Sequence, residues 1–144
     1  MRSHPIDVAI TYSSKQEYYV SKVATYLKRS GIEVFYLPFE KANIIGEDLI
    51  VYLSRVYKEW AELCVMFISK EYVEGAWPKL ELKNALERQL TQDSSYILPI
   101  RFDDSIVPGL SESIFYLRTN DYTEEELSEI IAKKFKKLKN IPIN

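Results

Sequence analysis

The sequence predicts an α/β fold, an open sheet of five parallel strands with helices on both faces. Strand-like and helix-like segments alternate from end to end, with no repeat, low-complexity tract or long linker between them. The run Leu63-Cys64-Val65-Met66-Phe67-Ile68 is apolar without alternation, as a central strand covered on both faces should be. The chain has 144 residues, 47% of them apolar, enough for a single domain over 1–144 with one buried core.

The first strand is expected over Ile6 to Tyr12, which is rich in β-branched and aromatic residues. It runs into a capping box formed by Ser14 and Glu17, and then into a helix whose inner stripe is Tyr19, Val20, Val23, Ala24 and Leu27. Gly31 supplies the stop. Ile32 to Tyr36 reads as the second strand, and Leu37 to Gly46 as a loop of about ten residues, longer than such connections usually are. Leu49, Leu53, Val56, Tyr57 and Trp60 mark the second helix, and Leu63 to Ile68 the third strand. A third helix starts near Pro78, a residue suited to a first turn, with a core stripe of Leu82, Ala85, Leu86 and Leu90. Tyr96 to Phe102 is the fourth strand and Ile114 to Leu117 the fifth, with room for a short helix between Asp103 and Ser113. Thr123 and Glu126 form a second capping box, opening a last helix on Leu127, Ile130, Ile131, Phe135 and Leu138. This order is flavodoxin-like. In such sheets ligands bind beyond the carboxyl ends of the strands, here Thr11 to Ser14, Leu37 to Gly46, Ser69 to Glu81 and Arg101 to Leu110.

Within that edge, Trp77 and Glu81 lie one helical turn apart at the start of the third helix, so their side chains share a face. Trp77 offers a flat apolar wall and Glu81 an acceptor-only anion, suited to hold a nucleotide ring and to steady a positive charge developing beside it. The same spacing also describes a core aromatic beside a solvated acid. At about 100° per residue, Glu81 is expected to the side of the core stripe.

Composition excludes several chemistries. With 19 basic and 21 acidic residues and a net charge of -2, the chain lacks the basic stripe of a nucleic-acid binder. Lys133, Lys134, Lys136, Lys137 and Lys139 gather where cations oppose the last helix's dipole. The lone Cys64 cannot form an internal disulfide and reads as a buried small hydrophobe. The single histidine, His4, falls in a terminus expected to fray, which leaves no material for a zinc site or a Ser-His triad, and no metal is expected. No signal-peptide core and no membrane-length apolar run is present, so the expected location is the cytoplasm, away from membranes.

Taken together, these segments resemble the Toll/interleukin-1 receptor (TIR) domain in its bacterial branch. The resemblance covers Ile6 to Leu117, most of the chain. Its pieces are Asp7 to Ser14, Phe35-Tyr36, the loop Phe39 to Leu49, Val65 to Ser69, Trp77 to Glu81, Leu98 to Asp104 and Val107 to Leu110, in the family's order and spacing. The chain departs from the pattern at Leu37, where an acid is usual, at Ile45, where the loop often carries tryptophan, and at Pro78, where a polar residue follows the tryptophan.

The resemblance implies an NAD+ glycohydrolase or ADP-ribosyl cyclase serving antiphage signalling, with NAD+ as substrate, no prosthetic group, and Glu81 as catalytic glutamate. It also implies that Trp77 stacks beneath the ring system and that the loop carrying Phe39, Lys41, Asn43 and Gly46 folds over the nicotinamide side. Tyr12, Ser13 and Ser14 would contact ribose or phosphate, and Asp48 would face the pocket. Ser14 and Asp48 equally suit helix caps. Phe39 needs an apolar partner, either a ligand ring or the same loop of another subunit. Expected partners are other TIR domains, in a homo-oligomer or filament, and a separate effector or sensor protein.

The class alternative is a TIR module that only binds protein, and a second enzyme alternative is a nucleoside deoxyribosyltransferase-like activity, against which the loop and Pro108-Gly109-Leu110 count. A response regulator needs acids after the first strand and an aspartate ending the third. Tyr12-Ser13-Ser14 and Ser69-Lys70 stand there instead.

Overall fold

Five parallel strands pair in the order β2-β1-β3-β4-β5, the flavodoxin-like topology, in a computed structural model that describes residues 5–92 and 95–143. They are β1 (Ile6–Thr11), β2 (Val34–Phe35), β3 (Ala61–Ile68), β4 (Ile97–Arg101) and β5 (Leu117–Arg118). The helices are α1 (Glu17–Arg29), α2 (Lys41–Ile44), α3 (Leu49–Arg55), α4 (Lys70–Glu74), α5 (Ala76–Thr91) and α6 (Glu124–Leu138). His4, expected in a fraying terminus, lies outside the described residues.

The unbroken apolar run of β3 divides its side chains between two cores. Leu63, Val65 and Phe67 pack under α1 and α6, against Val20, Val23, Leu27, Leu127, Ile131 and Phe135. Cys64, Met66 and Ile68 pack on the opposite face with Leu53, Tyr57, Leu82 and Ala85. Alternate residues of a strand face opposite sides, so a strand buried on both must be apolar throughout. Gly31, at φ 84°, follows the end of α1, a backbone region in which a Cβ is strained. Thr123 and Glu126 close the expected capping box at the start of α6.

Several expectations are corrected. Ser14 and Glu17 form no capping box: Ser13 caps a 3-10 turn over Ser14–Gln16, and Glu17 turns its carboxylate to the hydroxyls of Tyr12 and Tyr36. Two phenolic donors outbid one backbone N–H. β2 is shorter than the expected strand because Asp7 takes the Glu33 N–H at 2.8 Å and Pro38 helps turn Leu37–Phe39 into a 3-10 helix. The rest of the expected loop contains α2, too short to show a helical period.

α3 continues into a π-helical segment, Val56–Trp60, and the two together are the expected second helix. α4, capped by Ser69, was not expected at all. In α5, Leu82 and Ala85 are buried and Leu86 packs against them as expected, but Leu90 is 88% exposed and Glu81, expected off the core, is only 7% exposed. The far end of α5 meets the sheet through polar groups, since Gln89 accepts the Ile97 N–H at 2.9 Å and the Arg88 guanidinium lies over the Tyr96 ring. That rotates Leu90 outward. No helix forms between Asp103 and Ser113; Asp103 accepts from the backbone of Ser105 and Lys70, and turns follow. β5 lies at Leu117–Arg118 rather than Ile114 to Leu117.

Among the described residues, no helix is long and apolar enough to cross a membrane, and no group of three His, Cys, Asp or Glu residues is placed to hold a metal ion.

Candidate active site

β1 ends at Thr11, beside β3 at the centre of the sheet, and the chain then turns outward through Tyr12, Ser13 and Ser14. Opposite it, the corner between α4 and α5 is set by Gly75. A Cβ there would lie 3.0 Å from Pro78 Cδ and 3.2 Å from the Glu71 carbonyl oxygen, so any larger residue would push these neighbours outward by a few tenths of an ångström. This corner starts α5 at the sheet edge and aims its first inward carboxylate back at β1.

Between these walls lies a cavity of about 350 Å³, lined by Tyr12, Ser13, Ser14, Trp77, Pro78 and Glu81 and by the apolar side of Ile10, Leu37, Leu49, Leu53 and Tyr57. That volume is at the low end for small-molecule sites, enough for a ring and its sugar. The walls are apolar and the floor carries the carboxylate.

Glu81 Oε1 accepts a hydrogen bond from Thr11 Oγ1 at 2.7 Å. Burial pushes its carboxyl up to about 7, opposed by the hydroxyls of Thr11 and Tyr57. The Tyr57 proton goes mainly to the Ile10 carbonyl, at 2.7 Å, so Thr11 is the stronger stabiliser of the anion. A carboxyl poised near neutrality in a cleft is a marker of a functional site. Trp77 stays 48% exposed on the same wall, with its ring available to a ligand.

Of the residues singled out in the sequence, Glu81, Trp77, Tyr12, Ser13 and Ser14 meet around this cavity. Tyr12 arrives with its hydroxyl given to Glu17, which also accepts from Tyr36. Ser13 Oγ accepts the Lys15 N–H at 3.3 Å. The loop residues stand elsewhere. Phe39 packs edge-on against Tyr36, with the Lys28 ammonium over its ring, so its apolar partner lies within the chain. Lys41 lines a neighbouring cleft with Glu17 and Ile45; Asn43 donates to Glu40. Gly46, at φ 86°, turns the chain toward α3, and Asp48 caps α3 by accepting the Val51 N–H at 3.1 Å. Sequence reasoning missed Thr11, Tyr57 and Tyr72. A threonine ending a strand carries no signal of its own, Tyr57 reads as part of the second helix's apolar stripe, and Tyr72 falls in a short segment with no periodic pattern.

The family model described as a TIR domain matches residues 8–131. The chain belongs to the TIR domain family. Among curated TIR relatives, it is 39% identical over 136 residues to the 3' cyclic ADP-D-ribose synthase AaTIR of Aquimarina amphilecti, covering 94% of this chain and 42% of that protein. It is 28% identical over 141 residues to the NAD(+) hydrolase TirS of Staphylococcus aureus, covering 93% of this chain and 49% of that one. The chain therefore spans less than half the length of either relative.

Solved TIR structures share the fold. The TIR domain of the Toll-related receptor TRR-2 from Hydra magnipapillata superposes with a TM-score of 0.66 at 17% identity, over 93% of this chain and 98% of that one. The TIR domains of the activated Roq1 resistosome give 0.59 at 22% identity, over 68% and 58%.

Proposed function

We propose that this TIR domain cleaves the nicotinamide-ribose bond of NAD+, as a glycohydrolase or ADP-ribosyl cyclase, with Glu81 as its catalytic carboxylate. The observation that carries the reading is the buried carboxyl of Glu81 at the floor of an apolar cavity beside the half-exposed Trp77. The activities of the synthase and hydrolase relatives support it.

The chemistry suits a site with so few titratable groups. Nicotinamide in NAD+ is already cationic and leaves neutral with the bonding electron pair, so no acid is needed to protonate it, unlike the leaving oxygen of ordinary glycosides. What needs help is the ribose cation left behind. An anionic Glu81, buried and preorganised by Thr11, stabilises that charge electrostatically. Water or a hydroxyl of the substrate's own adenosine half then bonds to the anomeric carbon. The proton it sheds has a ready acceptor in Glu81, whose basicity lies near neutrality. Trp77 supplies the wall for the departing ring, and Ser14, exposed at the mouth, is placed to bond ribose or phosphate.

In this reading the protein works in the cytoplasm in antiphage defence, and a cyclic product would signal to a separately encoded effector. The second reading, a module that only binds protein, draws on the exposed apolar residues Leu37, Ile45, Ile50 and Val51 near the mouth. Chromatography of NAD+ incubated with concentrated protein separates the two. Nicotinamide release that falls at least about 10²-fold in Glu81→Gln supports the enzyme, on the scale of losing one preorganised electrostatic contact. Intact NAD+ at every concentration moves the assignment to the binding module.

A further inference from the structure

Behind Glu81 a chain of buried hydroxyls runs through Thr11 and on to Tyr72. Thr11 Oγ1 lies 2.7 Å from Glu81 Oε1 and 2.9 Å from Tyr72 Oη, and both bonds are buried. An ionised carboxylate only accepts, so the single Thr11 proton goes to Glu81. Thr11 then has only lone pairs to offer Tyr72, and Tyr72 must donate. The bonds run one way, Tyr72 to Thr11 to Glu81, each polarising the next toward the carboxylate.

The chain also joins three elements: Tyr72 is on α4, Thr11 ends β1, and Glu81 is on α5. It ties both sides of the Gly75 corner to one atom of the central sheet. A shift of α5 against β1 breaks the Thr11 bond to the carboxylate, and a shift of α4 breaks the Tyr72 bond that polarises Thr11, so either alters the carboxylate's surroundings.

We infer that Thr11 and Tyr72 are positioning residues that hold the Glu81 carboxylate in its reactive rotamer and favour its anionic form. The inference rests on the proposed role of Glu81. No cation does this work, since Glu81 has no ion-pair partner among the described residues. The other titratable groups facing it are Tyr57 from the π-helical segment and Cys64 from β3, and burial holds both, like Tyr72, neutral far above physiological pH. Glu81 is therefore the one group in this cluster that titrates near neutrality.

The test is the pH profile of nicotinamide release from NAD+ by Thr11→Val, Thr11→Ser and Tyr72→Phe, with thermal unfolding measured alongside. Thr11→Val should move the acid limb of kcat/KM up by about one pH unit, because the hydrogen bond that favours the anion is gone. Thr11→Ser should restore it, and Tyr72→Phe should move it the same way by less. A Thr11→Val variant that loses activity or melting temperature with its acid limb in place would make the contact merely structural and overturn the inference. Carbon-13 titration of the Glu81 carboxyl gives a readout independent of turnover. If the wild-type chain releases no nicotinamide, the functional reading fails, and an upward shift in Thr11→Val still establishes the hydroxyl chain. An unshifted carboxyl overturns it.

Discussion

Trp77 and Glu81, one turn apart on α5, face the same cavity with contrasting exposure: Trp77 is 48% exposed and Glu81 7%. That contrast divides the labour. A ring that keeps half its surface open gains by covering a ligand, and a carboxylate shut away from water acts strongly on charge placed next to it.

Trp77→Ala should therefore act mainly on binding. Loss of one stacking wall for a cationic ring is worth about 1–2 kcal/mol, or roughly a tenfold rise in KM for NAD+. Because the ring is half exposed, unfolding free energy should change by less than about 1 kcal/mol, and Trp77→Phe should recover most of the affinity. Steady-state kinetics check this; a large fall in kcat at unchanged KM would place Trp77 in the chemical step instead.

The Glu81 carboxyl, raised from 4.5 to about 7, ties activity to pH. If the anion is the working form, kcat/KM climbs with pH and levels off above about pH 7, because this parameter reports the free enzyme. Bound NAD+ brings a cationic ring beside the carboxylate and lowers its pKa, so the acid limb of kcat should lie at lower pH than that of kcat/KM. Profiles that coincide, or that fall through neutrality, would contradict the assignment of the anion.

Stability should move the opposite way. Between 4.5 and about 7 the folded chain holds a proton on Glu81 that the unfolded chain has released, so this group's contribution to stability falls as pH rises through that window. Glu81→Gln removes the titration. Urea unfolding should find the variant more stable than the parent at about pH 8, by up to roughly 3 kcal/mol, and nearly equal to it below about pH 4.5. A variant that is less stable at the higher pH would mean that the anion is better compensated than its burial indicates.

Much of this arrangement was legible in the chain. Periodicity and punctuation located all five strands, four of the helices and the sheet-edge segments, because a doubly covered strand such as β3 and a capped helix such as α6 each leave a pattern over many residues. The pairing of Trp77 with Glu81 was legible for the same reason. What stayed hidden depends on contacts distant in sequence. The helical periodicity puts Glu81 off the core, since a helical wheel does not show that Thr11 waits on β1 to satisfy it. The spacing makes Glu17 a cap, because its two tyrosine partners converge only in the fold. The short helices α2 and α4 have too few residues to carry a period.

Exposed apolar residues near the mouth of the site motivate the last prediction. Ile45 is 83% exposed at the end of α2, and Ile50 and Val51 are exposed at the start of α3. Apolar surface grouped around a site marks a contact, and the contact this family reading favours is a second copy of the chain. Nicotinamide release per molecule should then rise with protein concentration over the range in which light scattering reports assembly. Ile45→Glu places a charge that desolvates poorly in such a contact, and it should flatten that dependence without lowering the melting temperature. Specific activity that is constant over a hundredfold range of concentration, and equal in Ile45→Glu, would mean that each chain completes its own site.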